Sequence, residues 1–223
     1  APGLQVLVGG RYVGPGGGPV ASVVVEFEGQ RVDAWTASAE DPWFVRWLTL
    51  PSDVPAGEVY ARLAVRIGVA DPAASVPEGP LVALEQFDAA PAGTLQYAFE
   101  GGWYERESDP RRGTGWRWAS DDARLDVRGA SRDVTLVLTG ESPLRYFASP
   151  TTVRIVAGER EVGRFTPDGD FAQAIIVPAA ALAASGGRLA IRSSQAFVPA
   201  ERGESADRRR LALRLFRVDV KLP

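Results

Sequence analysis

The chain has 223 residues, enough for two domains of roughly 100 residues each or one large sandwich. Its 25 basic and 28 acidic side chains leave a net charge of −3, which gives no field for nucleic acid or anionic lipid. His, Cys and Met are all absent, which removes the usual general base near neutral pH, any Ser-His-Asp triad, disulfides, thiolate nucleophiles and Cys-ligated zinc.

Strand signals then dominate in chain order. Residues 4–8 are a short β run ending at Gly9-Gly10, and residues 15–19 form a Gly/Pro loop that no helix or central strand can include. Residues 20–27 are rich in β-branched side chains and run into a tight turn at Glu28-Gly29-Gln30, the start of a hairpin. Residues 44–50 alternate weakly and stop at Pro51, after which residues 51–57 are too Pro-rich for more than a turn. Residues 59–69 alternate apolar side chains with Arg and Ala, as a half-buried strand should. An irregular loop over residues 71–80 precedes a further strand over 81–87. The small, uncharged stretch 89–93 is the module boundary, giving modules over 1–90 and 91–223.

The second module opens with residues 99–105, a charged loop over 106–113, and 116–119. Strands follow over 123–127, 133–138, 153–157, 171–177, 188–193 and 211–220. One helix is predicted over 178–184, where Ala-rich sequence stops at Gly186-Gly187. Asp168-Gly169-Asp170 reads as a β-turn, since two carboxylates fall short of a calcium shell. Arg208-Arg209-Arg210 follows Glu201, Arg202, Glu204 and Asp207, so the run reads as a salt-bridged loop. No apolar run is long enough to cross a membrane as a helix. The absence of an initiator Met is read as a processed or excised chain.

The two modules repeat one pattern. Residues 24–32 match 153–162, residues 44–51 match 171–178, and residues 61–67 match 187–192, sharing Leu63-Ala64-Val65-Arg66 with Leu189-Ala190-Ile191-Arg192. Both copies close on an apolar run, 81–84 and 211–215, and residues 4–8 align with 134–138. Matches in one order at similar spacing indicate a pair of domains rather than a solenoid. The first module lacks a counterpart of residues 103–127, being either naturally shorter or cut. The fold class is therefore all-β: two tandem antiparallel β-sandwich modules, jelly-roll-like.

Trp103, Tyr104, Trp116 and Trp118 are four large aromatics within 16 positions. One reading is a sugar platform, with Arg117, Glu105 and Asp109 bonding hydroxyls. The other is core, since Trp often fills the space between sheets. Trp103 and Trp118 abut strand-like segments and read as core; Tyr104 and Trp116 are the better surface candidates. Period-2 geometry ties Trp116 to Trp118, because both belong on one face of a regular strand. A second group, Trp35, Trp43, Phe44 and Trp47, reads as buried or as the contact between the two modules, with Trp43 at a loop end.

Several pieces in order carry a resemblance. They are Gly102-Trp103-Tyr104-Glu105, Trp116-Arg117-Trp118, Ala123-Arg124-Leu125, Val153-Arg154-Ile155, residues 193–200 and residues 207–215. Over about residues 95–221 the chain resembles a β-sandwich region in the extracytoplasmic parts of bacterial polytopic membrane proteins, many labelled family-39-like glycosyltransferases. These regions look like carbohydrate-binding modules in fold. The resemblance implies a sugar-facing or accessory role outside the membrane, and it carries over no catalytic residue.

The functional expectation is a non-catalytic, extracytoplasmic, carbohydrate-binding-like region of a bacterial envelope protein, at the cell surface or in the periplasm. Its partner is a glycan or envelope polysaccharide, bound by Trp103, Tyr104, Trp116, Arg117 and Glu105, with no metal, cofactor or nucleic acid. It is tethered through segments of a larger membrane protein. The alternative is a structural or adhesive subunit that self-associates through exposed edge strands.

Overall fold

The computed structural model describes residues 3–50, 60–203 and 205–223. The turn expected over 51–57 and the start of the strand expected at Val59 lie outside the described residues. The chain divides into two compact units, Ala1–Thr94 and Leu95–Pro223. Each is built from two antiparallel sheets packed as a sandwich.

In the first unit β1 (Leu4–Tyr12) lies between β4 (Trp43–Leu50) and β6 (Val82–Pro91). Facing it, β2 (Ala21–Phe27) lies between β3 (Gln30–Ala37) and β5 (Leu63–Val69). The β2–β3 hairpin turns through Glu28 and Gly29, both at positive φ (48° and 77°), the backbone a tight two-residue hairpin demands. Alternation along β2 puts Ala21, Val23 and Val25 inside at 0% exposure. β6 extends through Pro91, which stands opposite Leu4. The small-residue stretch read as a boundary is thus largely the end of a strand.

The second unit repeats this plan and enlarges it. β11 (Val134–Glu141) lies between β14 (Asp170–Val177) and β16 (Leu213–Lys221), and β12 (Val153–Ala157) lies between β13 (Arg160–Phe165) and β15 (Arg188–Ser193). The predicted helix is α1 (Ala179–Ala184), entered from Pro178. Four further strands come first: β7 (Gln96–Phe99), β8 (Trp103–Asp109), β9 (Thr114–Ala119) and β10 (Asp122–Arg128). β9 and then β8 extend the sheet beyond β16, while β10 and then β7 extend the other beyond β15.

The repeat holds residue by residue. Gly10 stands opposite Phe44 as Gly140 stands opposite Phe171. Val25 stands opposite Val65 as Ile155 stands opposite Ile191. A register shift falls after Gly9 against β6 and after Thr139 against β16, so each last strand carries one extra residue, Glu85 or Phe216. The glycine beside each shift is steric: a Cβ at Gly10 or Gly140 would run into the carbonyl oxygen of Ala83 or Arg214.

The second core takes side chains from both sheets. Leu125, Leu136, Leu138, Ile155, Ile191 and Leu213 are at most 1% exposed, each burial contributing roughly 1.5–3 kcal/mol. Trp103 joins them at 1% exposure. Gly102, at φ +80°, turns the chain into β8, and the Trp103 indole Nε1–H donates to the Arg124 carbonyl oxygen at 2.7 Å. Its ring meets Phe99 edge-on at 4.9 Å. Of the ring sites proposed for ligand, this one is therefore a core position. Trp118, expected inside, is instead half-buried on the outer sheet face with Trp116, and Trp43 stands where the loop ends and β4 begins.

Replacing Trp103 by Ala is expected to lower the stability of the second unit by ~3–5 kcal/mol. Replacing exposed Glu105 by Ala should cost within about 0.5 kcal/mol. Urea unfolding of the two variants measures both; equal losses would contradict the core placement.

Candidate functional site

The outer face of the sheet β14-β11-β16-β9-β8 carries the richest chemistry in the second unit. Strand register places Trp118, Arg214, Glu141 and Asp170 in one row across four strands. Trp116 lies two residues along from Trp118 and stands opposite Glu107 of β8. These positions face outward because their neighbours, Ala119, Leu213 and Leu215, face the core.

Two loops rise over this face. The first, between β11 and β12, carries Ser142, Arg145, Tyr146 and Phe147. The second, between β15 and β16, carries Phe197 and the arginine run. Paired backbone hydrogen bonds of 2.8 Å between Phe197 and Leu211 pinch its two ends together. Phe197 is 5% exposed and organises an aromatic cluster. Tyr146 stacks on it at 3.9 Å, and Trp118 meets it edge-on at 6.1 Å. Between sheet and loops runs a groove of about 560 Å³ with Trp118, Tyr146 and Phe197 in its lining. That volume suits a small ligand.

Charge holds the second loop to the sheet. Arg209 bridges Glu107 and Asp207, each at 2.8 Å, and lies 5.3 Å over the Tyr104 ring. Arg210 forms a two-pronged pair with Asp121 at 2.7 and 2.8 Å. The Arg210 backbone N–H donates to the Tyr104 hydroxyl at 2.9 Å. The arginine partners hold the carboxyls of Asp207 and Asp121 below the usual range, against an opposing push from burial. The acids raise Arg209 and Arg210 in turn.

Arg214 sits centrally, stacked 4.4 Å over the Trp116 ring, with one guanidinium nitrogen 3.3 Å from Glu141. The Trp116 indole N–H donates to Glu107 at 3.0 Å. Two buried polar atoms of groove-lining residues, Arg214 Nε and Ser142 Oγ, have no hydrogen-bond partner among the described residues. The lining balances Glu107, Glu141 and Asp207 against Arg145, Arg209 and Arg214.

The sequence candidates fall into different places. Trp116 supports the groove by carrying Arg214, and Tyr104 clamps the loop. Arg117 stands on the opposite face of β9, donating to the Tyr104 carbonyl oxygen at 2.9 Å and lying 4.9 Å over Phe99. Glu105 is exposed on β8 and does not line the groove. Sequence reasoning passed over Tyr146, Phe197, Glu141 and Arg214, which lie in distant loops and strands. Only the strand register joining Glu141, Arg214 and Trp118 could have found the charged part.

A second depression of about 630 Å³ covers β10, β12 and β15. It carries Arg124, Arg160, Arg188 and Arg192 but no aromatic ring. Among the described residues no cluster of three acids is placed to hold a metal ion, and no helix is long and apolar enough to cross a membrane. No protein-family model matches the chain, and no curated protein matches it.

Lowered carboxyl pKa values fix the sign of the loop's acid response. The stabilisation from the Asp207 and Asp121 pairs is complete above the ordinary Asp value near pH 4 and is lost as pH falls through their lower folded values. Amide protection over residues 205–210 should hold from pH 7 to about pH 4 and fall below it. Hydrogen exchange measured against pH checks this; loss of protection already near pH 6 would contradict the assignment.

Proposed function

We propose that this chain is a non-catalytic carbohydrate-recognition region and that the outer-face groove of its second unit is the binding surface. The observation that carries the reading is Trp118, half-buried in a groove lined by the Tyr146 and Phe197 rings and by a balanced set of charges. Apolar C–H faces of a pyranose pack on an aromatic ring, while carboxylates and guanidinium groups bond its hydroxyls. Equal numbers of acids and arginines favour an uncharged glycan over an anionic one.

The absence of His leaves proton transfer to acids or bases of other kinds. Asp207 is held in its ionised form by Arg209, while a glycosidase acid needs a raised pKa. Glu107 and Glu141 are each paired with an arginine. Recognition without bond cleavage is the role that fits. An extracytoplasmic position, as part of a bacterial envelope protein, goes with this reading through the resemblance of residues 95–221.

Titration with a panel of neutral oligosaccharides by calorimetry tests the proposal. Trp118→Ala should weaken binding about ten-fold or more, equivalent to at least ~1.4 kcal/mol. Trp116→Ala, which removes the support of Arg214, should weaken it less. Wild-type protein that binds none of the panel would sink the sugar reading and favour the structural or adhesive one.

A further inference from the structure

One strand plan serves both units, and among the described residues it is completed in only one. In the second unit, β10 adds to β15 along residues 188–192, and β9 adds to β16 along residues 213–215. Register makes residues 62–66 and 82–84 the equivalents in the first unit, where β5 and β6 are the terminal strands of their sheets. The side chains there lack cover. Leu84 is 46% exposed, whereas its counterpart Leu215 is 2% exposed. Val65 is half-buried, whereas Ile191 is at 1%. Phe87, the counterpart of core-packed Val218, is 62% exposed.

Charge indicates what fits these edges. In the second unit Arg188 and Arg192 stand opposite Asp126 and Asp122 of β10, with Arg192 Nε 3.2 Å from Asp122. Their counterparts Arg62 and Arg66 are exposed on an edge that no described strand covers, with Arg66 Nε 2.8 Å from Glu26 of β2. Two copies of β5 paired antiparallel about Ala64 would set Arg62 against Arg66 twice, and like charges directly opposite destabilise a sheet. The matching strand instead carries acids four residues apart, with apolar side chains turned inward between them, as Ala123 and Leu125 are in β10. One segment reaches both edges, because only Ser120 and Asp121 separate β9 from β10.

We propose that the first unit is a strand acceptor. Its occupant is a polypeptide segment with the pattern of residues 95–128: an acid-flanked apolar strand that adds antiparallel to residues 62–66, joined to a strand that adds to residues 82–84. Main-chain hydrogen bonds supply the affinity, and the Arg62 and Arg66 charges and the Leu84, Leu63 and Val65 surface supply the specificity. This assignment concerns the first unit alone and is independent of the sugar groove.

The test extends the full chain with a second copy of residues 95–129 joined to Ala1, the place β7–β10 hold ahead of β11. Hydrogen exchange over residues 62–66 and 82–84 is expected to slow about ten-fold or more, the mark of newly paired edges. The same extension with Asp122→Arg and Asp126→Arg in the added copy, or with Leu84→Lys in the acceptor, should lose most of that slowing. Unchanged exchange in the extended chain, or equal slowing in the charge-reversed one, would overturn the proposal. So would a wild-type dimer in sedimentation whose dissociation exposes these same amides, since a second copy would then be the occupant.

Discussion

Apolar contact between paired antiparallel sheets governs everything else in this protein. Away from the bulges, each inward Val, Leu or Ile sets its neighbours on the same strand facing outward, because side chains alternate along a regular strand. Leu213 and Leu215 face the core, so Arg214 between them must face out. Ala119 faces the core, so Trp118 does not. The composition of the outer face is thus a by-product of burial on the inner one. A slip of one residue between β16 and β11 would drown Arg214 and expose two leucines, a cost far above the worth of any surface ion pair.

On that fixed floor the loops are held by weaker means. The Phe197–Leu211 bridge closes the long loop, stacked rings tie it to the loop after β11, and guanidinium-to-carboxylate pairs hold the arginine run to β8 and to the turn before β10. Exposed pairs contribute little singly. Here several converge on one segment, and aromatic packing limits the conformations they must select. The result is a groove with a rigid base and a wall set by electrostatics.

Much of the architecture was legible because the repeat is written in burial-determining residues. Leu63-Ala64-Val65-Arg66 and Leu189-Ala190-Ile191-Arg192 align in the sheets as they do in the sequence. Short or polar strands were not legible: β7 has four residues, and β13 carries Arg160, Glu161 and Arg164, so neither shows a hydrophobic signal. The candidate site was legible only in part. The Trp116–Trp118 pair was visible, and its common face followed from alternation. Which face it is depends on pairing with a strand about a hundred residues away. Trp103 read as core beside a strand-like segment, and the turn at Gly102 sends it inward. Tyr146 and Phe197 sit in irregular loops, where no periodicity points to a partner.

The position of β16 has a consequence for how the second unit is made. The last strand is not an edge; it lies between β11 and β9, in the middle of its five-stranded sheet. Until it is in place, β8 and β9 have no attachment to β11 and β14 within that sheet. Native pairings therefore span long stretches of sequence, from Trp118 to Arg214 and from Glu141 to Arg214. Such non-local closure is slow, in the millisecond-to-second range for comparable all-β domains. On a ribosome the half-formed sheet must wait for residues up to Lys221 to emerge, its apolar inner face guarded meanwhile by whatever chaperones the cell provides.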